Sequence, residues 1–191
     1  MRKLLVICLL LPGALHAGVE FFGKGSYSKS YVNTKGDWIQ TIMGSGGFAI
    51  TIFTAIRLEA RYANQVSLQN TLRQDPIAPL SSVKTEAQTV SVGLSLDLLG
   101  EHSPFQPYIY LGPGYIQKIQ SYYAPNDIGG TSYSFHQDAP DRGFTGNAGL
   151  GFRLRVLKRV ALEFEAFAYG MNLTTTPQID ISGSAGIRIF F

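Results

Sequence analysis

Apolar and polar side chains alternate along most of this chain. "IRLEARYA" sets Ile56, Leu58, Ala60 and Tyr62 against Arg57, Glu59 and Arg61. "VSVGLSLD" sets Val90, Val92, Leu94 and Leu96 against Ser91, Gly93, Ser95 and Asp97, and "VALEFEAFA" sets Val160, Leu162, Phe164 and Ala166 against Glu163 and Glu165. A period of two puts each set on its own face of a β-strand. Turn-forming residues divide the pattern into eight strands, at about 19–32, 40–53, 56–70, 84–98, 106–122, 142–156, 160–172 and 179–191. Their connections alternate in length. "TA" after Phe53 and "LKR" after Val156 are short, and "LGEHSPFQ" belongs with them by its place in the order. The segments near 33–39, 71–83, 123–141 and 173–178 are longer and rich in Pro, Asn, Asp, Ser and Gly. An even number of antiparallel strands then returns the chain to the short-turn edge, where both ends lie.

The final strand carries Ile181, Gly183, Ala185, Ile187, Ile189 and Phe191 on one face and Asp180, Ser182, Ser184, Gly186 and Arg188 on the other. It stops on Phe191 with no polar tail, as expected if it must pair with the first strand to close a barrel. Segments of about 10 alternating residues divided by turns are the pattern of an outer-membrane barrel.

Composition narrows the class. The chain has 191 residues, 45% of them apolar and only 15% charged, with 21 glycines. Charged residues make up roughly 25% of an ordinary globular domain. No run of 18 apolar residues occurs, so no ordinary membrane-spanning helix is expected. "MRKLLVICLLLPGALHA" joins a basic start (Arg2, Lys3) to a short apolar core (Leu4 to Leu11) and small residues near Ala17. That is the layout of a secretory signal peptide, so residues 1–17 are read as a signal and 18–191 as one barrel domain. The only cysteine, Cys8, lies in the signal. Without Arg2 and Lys3 the 16 basic residues become 14, against 13 acidic ones. The surplus is too small to imply a nucleic-acid partner.

The polar faces carry twelve charges. Lys24, Arg57, Arg61, Arg153, Arg155 and Arg188 are balanced by Glu20, Glu59, Asp97, Glu163, Glu165 and Asp180. Facing lipid near mid-membrane, each Arg or Lys would cost about 2–4 kcal/mol. Six would exceed a typical total stability of about 5–15 kcal/mol. Turned inward, they share an interior that in an eight-stranded barrel is just wide enough to be filled by side chains. There they must pair, since an unpaired buried charge is costly. The twelve are therefore read as a polar network inside the barrel.

With the signal peptide, "PYIYLGPGY" (Pro107 to Tyr115), the hairpin "GLGFRLRVLKRVALEFEAFAY" and terminal Phe191 in view, the mature chain resembles the small eight-stranded outer-membrane β-barrels of Gram-negative bacteria, of the OmpA, OmpX and opacity-protein type. The resemblance implies an all-β, antiparallel up-and-down transmembrane barrel. It implies an outer-membrane location with periplasmic termini, and Phe191 as the signal read by the barrel-assembly machinery. Two features depart from the pattern. Phe190 puts a large aromatic at an inward position, and Pro113 removes a donor from the fifth strand, where a bulge is expected.

Candidate chemistry is sparse. Ser134, His136 and Asp138 in "SYSFHQDAPD" would share one face of an extended segment. Nucleophilic catalysis would need Ser and His in contact and an orienting acid. Loops rich in these residues are common, and no catalytic residue is assigned. His136 with Asp138 and Asp141 is a weak cation set, so no metal and no cofactor are expected. Gly44 to Gly47 ("GSGG") lie inside a strand with no following helix, unlike a phosphate loop. Trp38, Tyr27, Tyr31, Tyr122 and Tyr123 near strand ends read as an interfacial aromatic girdle.

The resulting expectation is a monomeric, plugged barrel serving envelope structure or surface interaction of an adhesin kind through its long loops. Its partners would be outer-membrane lipids including lipopolysaccharide, the assembly machinery, and a host or surface ligand. The alternatives are a narrow gated channel and a lipid-modifying enzyme using His136.

Overall fold

A computed structural model describes residues 18–31, 38–70, 81–99, 103–125, 133–171 and 178–191. The wall strands are β1 (Val19–Tyr31), β2 (Trp38–Phe53), β3 (Ile56–Asn70), β4 (Ser81–Asp97), β5 (Phe105–Pro125), β7 (Asp141–Leu157), β8 (Val160–Met171) and β9 (Gln178–Phe190). A short strand, β6 (Tyr133–Gln137), pairs with the end of β5. The remaining strands pair antiparallel in chain order, β4 pairs with β5, and β1 pairs with β9. Eight strands thus close on themselves, the closing β1–β9 ladder running from Glu20 opposite Phe190 to Gly25 opposite Ala185.

The stagger of the wall can be read from its pairs. From Gly25 they lead one way through Gly44, Asn64, Gln88 and Gln117 to Arg142. The other way they pass through Ala185 and Phe164 to Phe152. The two arrivals on β7 lie ten residues apart (152 − 142 = 10). A shear of this size tilts the strands by about 40° to the barrel axis.

Thr54–Ala55 and Lys158–Arg159 turn the chain at one rim, where β4 also ends and β5 begins, with Gly18 and Phe191 beside them. The amide of Phe191 donates to the Val19 carbonyl at 3.0 Å, and that of Phe190 to the Arg159 carbonyl at 2.9 Å. The expected long segments belong to the opposite rim and are shorter than expected: 38–39 join β2, and 81–83 join β4. Residues 32–37, 71–80, 126–132 and 172–177, like 1–17 and 100–102, lie outside the described residues.

The segment 123–141 is not wholly a loop, as expected, but carries β6. Lys118 faces Asp141 and Ser121 faces Gln137, so two residues of β5 oppose three, 138–140. This is a bulge, occupied by Pro140, which has no amide proton to give to a ladder. The backbone amide of Asp138 restores one bond, donating to the Gln120 carbonyl at 2.9 Å. β6 is therefore the outward continuation of β7 beyond this bulge, and with β5 it forms an arm.

The expected bulge at Pro113 does not occur. Pro113 stays in register opposite Gly146, and β5 pairs with β4 in one register on either side of it, Ser91 with Gly114 and Leu94 with Leu111. The missing donor is accommodated by skipping pairs at two positions. There Gly93 and Gly112 let the two backbones approach: a Cβ on Gly112 would lie 2.4 Å from the Val92 carbonyl oxygen.

Burial follows the pleat. From Ala87 to Asp97 on β4 every second residue is buried and those between are exposed. The outward face is apolar, including Phe21, Phe48, Leu58, Leu94, Leu111, Leu150 and Ile187, all exposed. Aromatic pairs flank this belt. Phe21 meets Phe191 edge-on at 5.7 Å at the turn rim, and Tyr115 meets Phe144 at 5.8 Å toward the loop rim.

Candidate functional site

The inward faces divide into two storeys. Along β1, β3 and β8 the residues nearest the turn rim are charged: Glu20 and Lys24, then Arg57, Glu59 and Arg61, then Glu163 and Glu165. Further out stand neutral side chains. Ala87, Ile116, Phe167 and Tyr169 pack with Tyr108 and Tyr110 into a buried cluster, and the Tyr169 hydroxyl donates to Gln65 Oε1 at 2.9 Å.

Six strands bring ten of the twelve expected charged residues together. Arg188 lies at the centre. Its Nε donates to Glu163 Oε2 at 2.8 Å, its Nη1 to Glu20 Oε2 at 2.8 Å and its Nη2 to Glu59 Oε1 at 3.2 Å. Arg153 donates to Asp97 Oδ1 at 2.6 Å, Glu59 Oε1 at 3.1 Å and the Ser95 hydroxyl at 3.0 Å. Arg57 bonds Glu20 at 2.7 Å and also Asp97. Arg61 bridges Glu59 and Glu165, each at 2.7 Å. Lys24 pairs with Glu165 and lies 3.4 Å from Glu163. Five cations and five carboxylates form one connected, formally neutral set.

Burying ions costs several kcal/mol each unless their bonds are satisfied, and here every acid has two or more cationic partners. Aromatic faces fill the gaps. The Arg61 guanidinium lies 3.4 Å from the Tyr110 ring centroid, Arg153 3.9 Å from Tyr108, and Arg188 4.6 Å from Phe22. Tyr108 also donates its hydroxyl to Glu163 at 2.5 Å. A cavity of about 20 Å³ remains against Lys24, Arg61, Glu165, Ser91 and Ser184, room for about one water.

The other two expected residues are placed apart. Arg155 is half-buried near the turn rim, 5.0 Å over the ring of Phe190, which accounts for a large aromatic at an inward position. Asp180 lies on β9 opposite Tyr169, and its side chain lies outside the described residues. Three inward residues that hold the network were not singled out from the sequence, Phe22, Tyr108 and Tyr110, and Ser95, placed on the polar face, was not assigned to it. The signal for the tyrosines is present in "QPYIYL", where Gln106, Tyr108 and Tyr110 alternate with Pro107, Ile109 and Leu111.

On the arm, Ser134 Oγ and His136 Nε2 share a hydrogen bond of 2.8 Å, and the imidazole stacks on Tyr122 at 5.8 Å. Asp138 accepts from the Tyr122 hydroxyl at 3.3 Å. The acid thus engages the tyrosine, and the three residues expected on one face do not line up as a relay. Tyr122 has the inward parity of Tyr108 and Tyr110. It faces the barrel mouth, which corrects its place in the aromatic girdle. Tyr27 and Tyr123 are exposed, and Trp38 carries Lys29 4.8 Å from its ring centroid. The side chain of Tyr31 and residue His102 lie outside the described residues. Among the described residues no three His, Cys, Asp or Glu side chains are grouped to hold a metal ion.

No protein-family model matches the chain, and no curated protein matches it. Solved structures do. The outer membrane protein OprG from Pseudomonas aeruginosa is similar at TM-score 0.53 and 11% identity, over 92% of this chain and 96% of that one. Neisserial surface protein A is similar at TM-score 0.52 and 18% identity, over 94% of this chain and 99% of that one. The chain has the fold of the small eight-stranded outer-membrane β-barrels.

Proposed function

We propose that residues 18–191 form a barrel in the outer membrane of a bacterium, delivered by a cleaved signal peptide at 1–17. Its turn rim and both termini face the periplasm, and its loop rim and arm face outward. The observation that carries this reading is the closed wall with an apolar exterior around a neutral network of five cations and five carboxylates. In water such an exterior would be a large exposed apolar surface; in lipid it is the required one.

The interior is filled by paired charges near the turn rim and by Ile116, Phe167 and Tyr169 further out. This supports a plugged, monomeric barrel with a structural or surface-interaction role carried by the loop-rim segments at 33–37, 71–80 and 173–177 and by the segment 123–141 that includes β6. Phe191 is the residue we assign to the assembly machinery, and outer-leaflet lipids including lipopolysaccharide are its standing neighbours. The fold alone does not choose among functions, so a surface ligand is assigned to the loops because they vary most freely on a rigid scaffold.

The experiment is a gel of the membrane fraction with and without boiling, combined with protease treatment of intact cells. A heat-modifiable band cut only at the loop-rim segments supports the reading. A soluble, non-shifting protein, or cleavage from outside at Lys158–Arg159, contradicts it.

A further inference from the structure

Above the apolar belt, the outward face of β5, β7 and β6 changes chemistry in a fixed order. The Tyr115–Phe144 pair comes first. Two residues further out, Gln117 faces Arg142. Ile119 follows, half-buried beside Glu86. Next come Ser121 and Gln137, and then Tyr123 and Phe135, in edge-on contact at 5.6 Å and exposed by 48% and 56%.

The bulge at 138–140 makes this column possible. Phe144 and Arg142 have even numbers, and Gln137 and Phe135 odd ones. One extra residue shifts the parity so that Phe135 stands beside Tyr123 on the outward face and His136 beside Tyr122 on the other. At about 3.3 Å per residue and a tilt of about 40°, Tyr123 stands roughly 20 Å beyond Tyr115 along the barrel axis. A half-exposed aromatic pair at that height is outside any hydrocarbon layer, yet it continues the face that meets lipid.

We propose that this column binds an outer-leaflet glycolipid, the saccharide-bearing lipopolysaccharide, from acyl chain to sugar. The acyl chains lie against Tyr115 and Phe144, and a phosphate meets Arg142. A sugar of the core stacks its C–H face on Tyr123 and Phe135, with Ser121 and Gln137 offering hydrogen bonds to its hydroxyls. The inference rests on the outer-membrane reading above. The spacing selects the ligand: a phospholipid headgroup ends near the level of Arg142 and does not reach the upper pair.

The test uses the full mature barrel in nanodiscs containing lipopolysaccharide with a complete core or lipid A alone, with retained glycolipid counted by native mass spectrometry after release into detergent. The wild type is expected to retain the core-bearing form at least ten-fold more strongly than lipid A. Tyr123→Ser with Phe135→Ser should abolish that preference, while Tyr123→Phe with Phe135→Tyr should keep it. His136→Ala, on the opposite face of the arm, should also keep it. Arg142→Gln should weaken retention of both forms. Equal retention of the two glycolipids by the wild type overturns the proposal. So does an unchanged preference in the serine variant, or an equal loss in His136→Ala, which would mark arm order alone. A shift of retention to a soluble protein or free glycan, with no glycolipid preference, likewise counts against it. Absence of the heat-modifiable band in membranes would instead refute the outer-membrane reading itself.

Discussion

Arg188 Nε and Glu163 Oε2 stand 2.8 Å apart with neither side chain exposed. Glu163 also receives the Tyr108 hydroxyl and faces Lys24 and Arg153. Replacing it with Ala leaves a fully buried guanidinium short of its partner. Breaking one member out of a buried pair costs about 3–5 kcal/mol, so Glu163→Ala should lower stability by that order. Arg155→Ala, outside the network, loses only a cation–π contact worth about 0.5–1 kcal/mol. Urea unfolding of the two variants in lipid vesicles, followed by the compact band, measures the difference.

Gly93 and Gly112 let the backbones of β4 and β5 approach closely. A Cβ on Gly93 would lie 2.4 Å from the Leu111 carbonyl oxygen and 2.8 Å from the Gly112 Cα. Backbone on both sides of a closed wall cannot give way as a flexible side chain can. Gly93→Ala and Gly112→Ala should each destabilise by at least the roughly 1–3 kcal/mol of an overpacked core. Gly23→Ala, where a Cβ meets nothing within 4 Å, should refold at the wild-type yield. Refolding yield in detergent discriminates them.

The filled interior makes a prediction about conduction. Arg153, Arg188, Glu59 and Glu163 are fully buried, and the Tyr110, Phe167 and Tyr169 rings pack in the neighbouring buried cluster, so side chains occupy the described interior at both levels. Planar-bilayer recordings of the wild type should show no discrete openings at neutral pH. Reproducible unitary steps would favour the channel reading.

Phe191 has a packing role and a proposed recognition role, and these separate experimentally. Its ring contact with Phe21 is worth about 0.5–1.5 kcal/mol. Phe191→Ser should therefore refold in detergent with a small loss of stability. In cells it should accumulate unassembled in the periplasm, because the assembly signal is gone. Equal membrane insertion of the variant and the wild type would remove the recognition role.

Much of the wall was legible because a barrel strand must alternate apolar and polar residues, and β3, β4 and β8 do so over Ile56–Tyr62, Val90–Asp97 and Leu162–Ala166. The acids and bases of the network stood out for the same reason. β5 was harder to phase: tyrosine counts as apolar in a pattern, yet Tyr108 and Tyr110 face inward because their hydroxyls find Glu163 and Ser91. Pro113 suggested a bulge because a missing donor is usually relieved by an inserted residue. Two skipped pairs at facing glycines do this equally well, and only the register shows it. The arm was hidden by composition. "YSFHQ" alternates, but its neighbours Asn126, Asp127, Gly129, Gly130 and Pro140 read as one long loop.

The most direct test of the central claim uses single cysteines, of which residues 18–191 contain none. Placed in turn at Ser91, Val92, Leu94 and Ser95 and labelled with a fluorophore, each position reports its surroundings in vesicles of brominated lipid. The account predicts strong quenching at Val92 and Leu94 and none at Ser91 and Ser95, whose side chains are turned inward and buried. Equal quenching at all four positions, or quenching at the two serine positions alone, would contradict a closed barrel with its charged face inside.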